Sequence, residues 1–127
     1  MQQLRNAEWL GGKIVLVESP SDAELVQLYL GCRFTLFPSL YEGWGLPVTE
    51  SLMFGKPCLV SNVTSLPEAG GALARYFDPD DLNDVVRVIR ETISDPAGLA
   101  EWEARVKREF RPVSWDESAR AILEAIE

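Results

Sequence analysis

The run Phe37-Pro-Ser-Leu-Tyr-Glu-Gly-Trp-Gly-Leu-Pro-Val-Thr-Glu50 decides how this chain folds. It starts where the apolar segment Arg33-Phe-Thr-Leu-Phe-Pro38 ends, crosses two glycines, and enters a stretch from Leu46 to Gly55 with Pro47 at its first turn. A segment apolar on both faces reads as a strand covered on both sides, and proline pre-sets φ for the start of a helix. The run is therefore a strand, a tight turn and a helix. In an open parallel sheet the turn lies at the carboxyl edge, where ligands bind.

Three further apolar runs read as strands: Lys13-Ile-Val-Leu-Val-Glu18, Pro57-Cys-Leu-Val-Ser-Asn62 and Leu73-Ala-Arg-Tyr-Phe-Asp78. Between the first two of the four strands, Ser21-Asp-Ala-Glu-Leu-Val-Gln-Leu-Tyr-Leu-Gly31 opens with a Ser-x-x-Glu capping box and closes on glycine, the signature of a helix. Strand and helix alternate with short joins. The fold class that follows is α/β and Rossmann-like, a parallel sheet of about four strands flanked by helices.

The chain has 127 residues, 12 Lys and Arg against 20 Asp and Glu, a net charge of −8, and no histidine. The acidic balance argues against a nucleic-acid backbone as partner. Without histidine there is no Ser/His or Cys/His pair and no His-ligated metal, so acid, base or ligand chemistry falls to carboxylates. Cys32 and Cys58 stand apart in apolar surroundings and read as small buried residues of a reduced protein. No signal peptide or membrane-spanning apolar stretch is visible, so the expected location is the cytoplasm, peripheral to a membrane at most.

Residues 79–127 form a helical cover within a single domain spanning 1–127. Leu82, Val85, Val86 and Ile89 mark the stripe of a first helix, a second covers about 97–110, and a third after Ser114-Trp115 carries Ala119, Ile122, Leu123 and Ile126. From Asp78 onward there are 13 Asp and Glu against 7 Lys and Arg, a charge that suits solvent-facing sides of helices. Asp78-Pro-Asp80 spells Asp-x-Asp, but it precedes a helical pattern, and Asp80 or Asp81 reads as an N-cap; no metal is expected.

The chemistry concentrates in the turn. Gly43 and Gly45 permit positive φ and close backbone approach, and no side chain at Gly45 or Leu46 is suited to cap the N–H groups of Val48 and Thr49. A phosphate there would take those bonds at the positive end of the helix dipole. Glu42 and Glu50 flank the turn with seven residues between them. Carboxylates repel phosphate but accept paired hydroxyls, as in the diol of a ribose or hexose, so the pattern fits a sugar nucleotide. The same residues also fit a plain turn glutamate and a glutamate favoured near a helix start, and Trp44 fits either a sugar-stacking or a packing role.

The run Ser39-Leu-Tyr-Glu-Gly-Trp-Gly-Leu-Pro-Val-Thr-Glu50, continued by Ser51-Leu-Met-Phe-Gly-Lys-Pro-Cys-Leu-Val-Ser-Asn-Val-Thr-Ser-Leu-Pro-Glu-Ala-Gly70, resembles the Glu-x7-Glu region of retaining, GT-B-fold glycosyltransferases, the group that includes bacterial mannosyltransferases, sucrose synthases and glycogen synthases. The likeness extends from about Lys13 to Trp115. It implies that Glu42 is the catalytic candidate, contacting hydroxyls of the donor sugar, and that Glu50 takes the ribose diol. The backbone of Gly43, Trp44, Gly45 and Leu46 would lie along sugar and diphosphate, with Thr49 completing the donor-binding set. The reaction implied is transfer of a hexosyl group from a nucleoside diphosphate sugar to a hydroxyl acceptor, with no metal and no other cofactor.

Trp44 stands where the family usually has Phe, and Glu18 where a glycine often ends the first strand beside the nucleobase. The family's Arg and Lys that neutralise the diphosphate precede the matched region, and neither Arg5 nor Lys13 falls in a matching motif. The resemblance thus implies an incomplete donor-binding domain, the partial C-terminal half of a GT-B fold. Its partner would be an N-terminal acceptor domain, and the chain alone would be inactive. A reading of another class is a non-catalytic interaction or regulatory module that kept the fold.

Overall fold

The computed structural model describes Gly11 and residues 13–126. In chain order the elements are α1 (Asp22–Gly31), β1 (Thr35–Phe37), α2 (Leu46–Met53), β2 (Cys58–Ser61), α3 (Leu66–Gly70), β3 (Arg75–Phe77), α4 (Leu82–Ser94), α5 (Pro96–Glu109) and α6 (Trp115–Ala125). A single 3₁₀ turn, Gly71–Leu73, leads into β3. The expected α/β, Rossmann-like class is present as a parallel sheet in the order β1-β2-β3 with helices between and after the strands.

β2 is the centre of the sheet, and all four of its residues are buried. Cys58 pairs with Thr35 and Val60 with Phe37 on one side, while Leu59 pairs with Arg75 and Ser61 with Phe77 on the other. Because the strands are parallel, the segments leaving β1, β2 and β3 all emerge at one edge. That edge carries the motif turn, the loop 62–65 and the loop from Asp78.

The fourth expected strand is corrected by the structure. Residues 13–18 form no ladder with the described residues, and Val15 is 80% exposed. An apolar alternation states that a segment can be buried, whereas a strand also needs a neighbouring strand in register, and none of the described strands pairs with this segment.

Helix ends follow their caps. Ser21 caps α1 by accepting from the Glu24 N–H, and the Glu24 carboxylate accepts from the Ser21 N–H, completing the capping box. Ser114 and Glu117 do the same for α6. Asp81 caps α4 through the N–H groups of Asn83 and Asp84, while the Asp78 carboxylate accepts from the Asp80 N–H just before it.

The core gathers Val48 and Leu52 from α2, β2 itself, Leu66, Phe77, Val88 from α4, and Leu99, Trp102 and Val106 from α5. Inside it, Ser51 and Thr35 share a 2.7 Å hydrogen bond, and the Ser51 hydroxyl is also 3.1 Å from the Lys56 carbonyl, which satisfies a fully buried polar side chain. The Trp102 indole N–H donates to the Leu73 carbonyl at 2.6 Å, and the Arg75 guanidinium lies 4.3 Å from the centre of its ring. The stripe of α4 differs from expectation. Val88 and Thr92 are buried with Val85 and Ile89 beside them, whereas Leu82 and Val86 face outward, because Leu82 is the first helical residue and sits beside the cap. α6 has no buried residue. Cys58 is buried, its thiol pushed up to about 11 by desolvation; Cys32 is half-buried, and both are free thiols.

Candidate functional site

The motif turn runs from the end of β1 to the start of α2. Gly45 is the N-cap of α2 and adopts φ 92, a left-handed conformation in which a Cβ would also meet the Leu66 side chain at 2.5 Å. Glycine is required there on both counts. Gly43 is different. Its φ is not positive, and a Cβ on it would meet nothing of the protein within 4 Å. Its bare backbone faces open space rather than a packed neighbour.

The free donors lie earlier in the chain than the sequence suggests. The N–H groups of Val48 and Thr49 both donate to the Gly45 carbonyl, at 3.0 and 3.5 Å, since an N-cap carbonyl accepts the first bonds of its helix. The four preceding N–H groups, on Gly43, Trp44, Gly45 and Leu46, have no acceptor among the described residues. Pro47, which follows them, carries no N–H. Four successive donors at the start of a helix, beside the positive end of its dipole, form an arrangement suited to an anion.

Each motif glutamate is held by hydroxyls from elsewhere. The Glu42 carboxylate accepts from Ser39 Oγ at 2.9 Å, its N–H donates to Thr64 Oγ1 at 3.3 Å, and its carbonyl accepts from Ser65 Oγ at 3.2 Å. Glu50 lies one turn inside α2 and accepts from the Tyr29 hydroxyl at 3.0 Å through Oε2. That hydroxyl also lies 3.4 Å from the Pro47 carbonyl, and the Tyr29 ring stacks on Phe54 with centroids 5.0 Å apart. Burial first, and then the bond to Glu50, push the tyrosine well above its ordinary range, so it stays a donor. The contacts thus bring Glu42 together with the loop after β2, and Glu50 together with α1.

Trp44 is half-exposed, at 50%. With Leu46, Met53, Pro112, Val113, Ser114, Trp115 and Ser118 it lines an open cleft of about 830 Å³. Thr49 is half-buried, and its hydroxyl makes no hydrogen bond with the described residues. Tyr29, Ser39 and Thr64 escape sequence reading. Each is a hydroxyl amid apolar or turn residues, and only the chain's path shows which backbone or carboxylate it meets.

A parallel α/β sheet whose carboxyl edge carries a glycine turn, free N–H groups and two hydroxyl-held carboxylates is a partial Rossmann-like unit, with its candidate site at the edge where such sheets bind ligands. The chain belongs to the glycosyl transferases group 1 family, whose model matches residues 1–109. It is 36% identical over 124 residues to the serotype-specific mannosyltransferase WbdA of Escherichia coli, covering 95% of this chain and 15% of that protein. It is 34% identical over 104 residues to the O-antigen chain mannosyltransferase B of Escherichia coli, covering 82% of this chain and 27% of that protein. A D-inositol 3-phosphate glycosyltransferase of Rhodococcus opacus is 24% identical over 97% of this chain and 28% of its own length. The chain therefore spans less than a third of each. Among the described residues no helix is long and apolar enough to cross a membrane.

Proposed function

We propose that this chain is the donor-binding part of a retaining glycosyltransferase, which moves a hexosyl group from a nucleoside diphosphate sugar to a hydroxyl acceptor without a metal ion. The observation that carries the reading is the row of four unpartnered N–H groups from Gly43 to Leu46, flanked by Glu42 and Glu50. On this reading the diphosphate lies along that row, where fixed N–H dipoles favour the charge that grows as the sugar leaves. Further cations come from a preceding segment of a longer enzyme. Trp44 and Thr49 border the donor.

Glu50 takes the two ribose hydroxyls, which an ionised carboxylate can accept together, and Tyr29 fixes its orientation. Glu42 contacts hydroxyls of the sugar. The mannosyltransferase names of the two Escherichia coli relatives favour mannose as that sugar. The acceptor is held by a separate N-terminal domain, so this chain alone binds donor and transfers nothing. Titration calorimetry with GDP, UDP and ADP tests the reading. One of them binds with a millimolar or better constant, and Glu50→Ala abolishes that binding; a chain that binds none of the three overturns it.

A further inference from the structure

We propose that Thr64 and Ser65, in the loop after β2, are positioning residues that fix where Glu42 meets the donor sugar. The inference rests on the proposed role of Glu42 and extends it to residues outside the motif turn. Glu42 sits on a segment with no regular structure, between β1 and α2. A carboxylate on such a segment samples many positions unless its backbone is tied. Here both backbone groups of Glu42 are tied to side chains from one neighbouring loop. Its N–H donates to Thr64 Oγ1 at 3.3 Å, and its carbonyl accepts from Ser65 Oγ at 3.2 Å. Ser39 then takes one carboxylate oxygen at 2.9 Å, leaving the other for a ligand.

Thr64 supports the assignment in a second way. Its φ is 52, in the left-handed region that a β-branched residue rarely enters. Glycine would relieve that strain and would equally serve as a turn residue, but it would supply no hydroxyl to the Glu42 N–H. Strain of this kind persists where surrounding structure imposes it, and it gathers at binding sites. Ser65 likewise forms no capping bond to α3, the helix it precedes. Its hydroxyl is used across the crevice instead.

The experiment compares wild type with Thr64→Gly, Thr64→Ser, Ser65→Ala and Glu42→Gln, and has two readouts. The first, without ligand, is hydrogen exchange of the Glu42 amide by NMR. Thr64→Gly speeds it about tenfold or more while the melting temperature holds or rises, and Thr64→Ser stays near wild type. The second is the ratio of affinities for GDP-mannose and GDP, and for UDP-glucose and UDP. Glu42→Gln lowers the ratio for the donor that binds. Thr64→Gly and Ser65→Ala each lower it about fivefold, as expected for one hydrogen bond, with affinity for the bare diphosphate unchanged. Unchanged exchange in Thr64→Gly overturns the proposal, as does an unchanged ratio in both loop variants when Glu42→Gln lowers it. A ratio that Glu42→Gln itself leaves unchanged, or a wild type that binds none of the four, overturns the donor role of Glu42 and the present proposal with it.

Discussion

The two sides of β2 obey opposite rules. Toward α5, every buried side-chain polar atom has a partner: Ser51 is bonded to Thr35 and the Lys56 carbonyl, and Trp102 to Leu73. At the carboxyl edge, four backbone N–H groups in a row have none among the described residues, a threonine sits at positive φ, and Trp44 lies half-exposed. The difference separates the packed core from the edge at which donor binding is proposed. Ser21, Asp81 and Ser114 cap three other helices with their side chains, whereas Gly45 offers α2 no such cap.

Substitutions on the two sides should therefore fail differently. The largest loss is expected from Trp102→Ala, which empties a buried indole site, removes its bond to Leu73 and the platform under Arg75, and lowers unfolding free energy by about 3–5 kcal/mol in chemical denaturation. Nucleotide affinity per folded molecule stays at the wild-type level. Gly45→Ala joins the two sides. The added methyl must displace Leu66 and occupies a left-handed residue, so stability falls by about 1–3 kcal/mol and nucleotide binding weakens together with it. Tyr29→Phe acts mainly at the edge. Stability drops by about 1 kcal/mol, and the preference for GDP or UDP over the 2′-deoxy form narrows, because Glu50 loses the hydroxyl that orients it.

The smallest effect tests the core side through pH. Glu103 accepts from Lys107 at 2.7 Å and Lys56 at 3.3 Å, and the Lys107 bond, followed by that to Lys56, holds its carboxyl below the ordinary value of 4.5. The ionised form is favoured in the folded chain. Its contribution is full above about pH 4.5 and fades as pH falls through the folded value. Glu103→Gln should cost at most about 0.5 kcal/mol near neutrality, since the group is partly exposed, and should flatten stability in that acid window with no change in nucleotide binding.

Much of this division is readable from the residues. Pro57 to Asn62 is apolar on both faces and becomes the buried central strand; Ser-x-x-Glu at Ser21 starts a helix; Pro47 starts another. The glycines and glutamates of the turn are visible as a candidate site and are carried further by family resemblance. Other features depend on three-dimensional neighbours. Lys13 to Glu18 has a strand's pattern but pairs with none of the described strands. The free N–H groups shift from Val48 and Thr49 to Gly43 through Leu46 because the carbonyl of the N-cap residue, Gly45, takes the first two helical donors. The loop hydroxyls on Glu42 come from 22 and 23 positions along the chain, beyond any local pattern.

The central claim is that the row of N–H groups from Gly43 to Leu46 receives the diphosphate of a sugar nucleotide. Backbone amide NMR of the isotopically labelled chain, titrated with GDP-mannose and with UDP-glucose, addresses those groups one by one. The account predicts that one of the two donors shifts the amides of Gly43, Trp44, Gly45 and Leu46 most strongly and saturably, and that Glu50→Ala removes the response. Saturable binding that leaves those four amides unmoved, or no response to either donor, would contradict it.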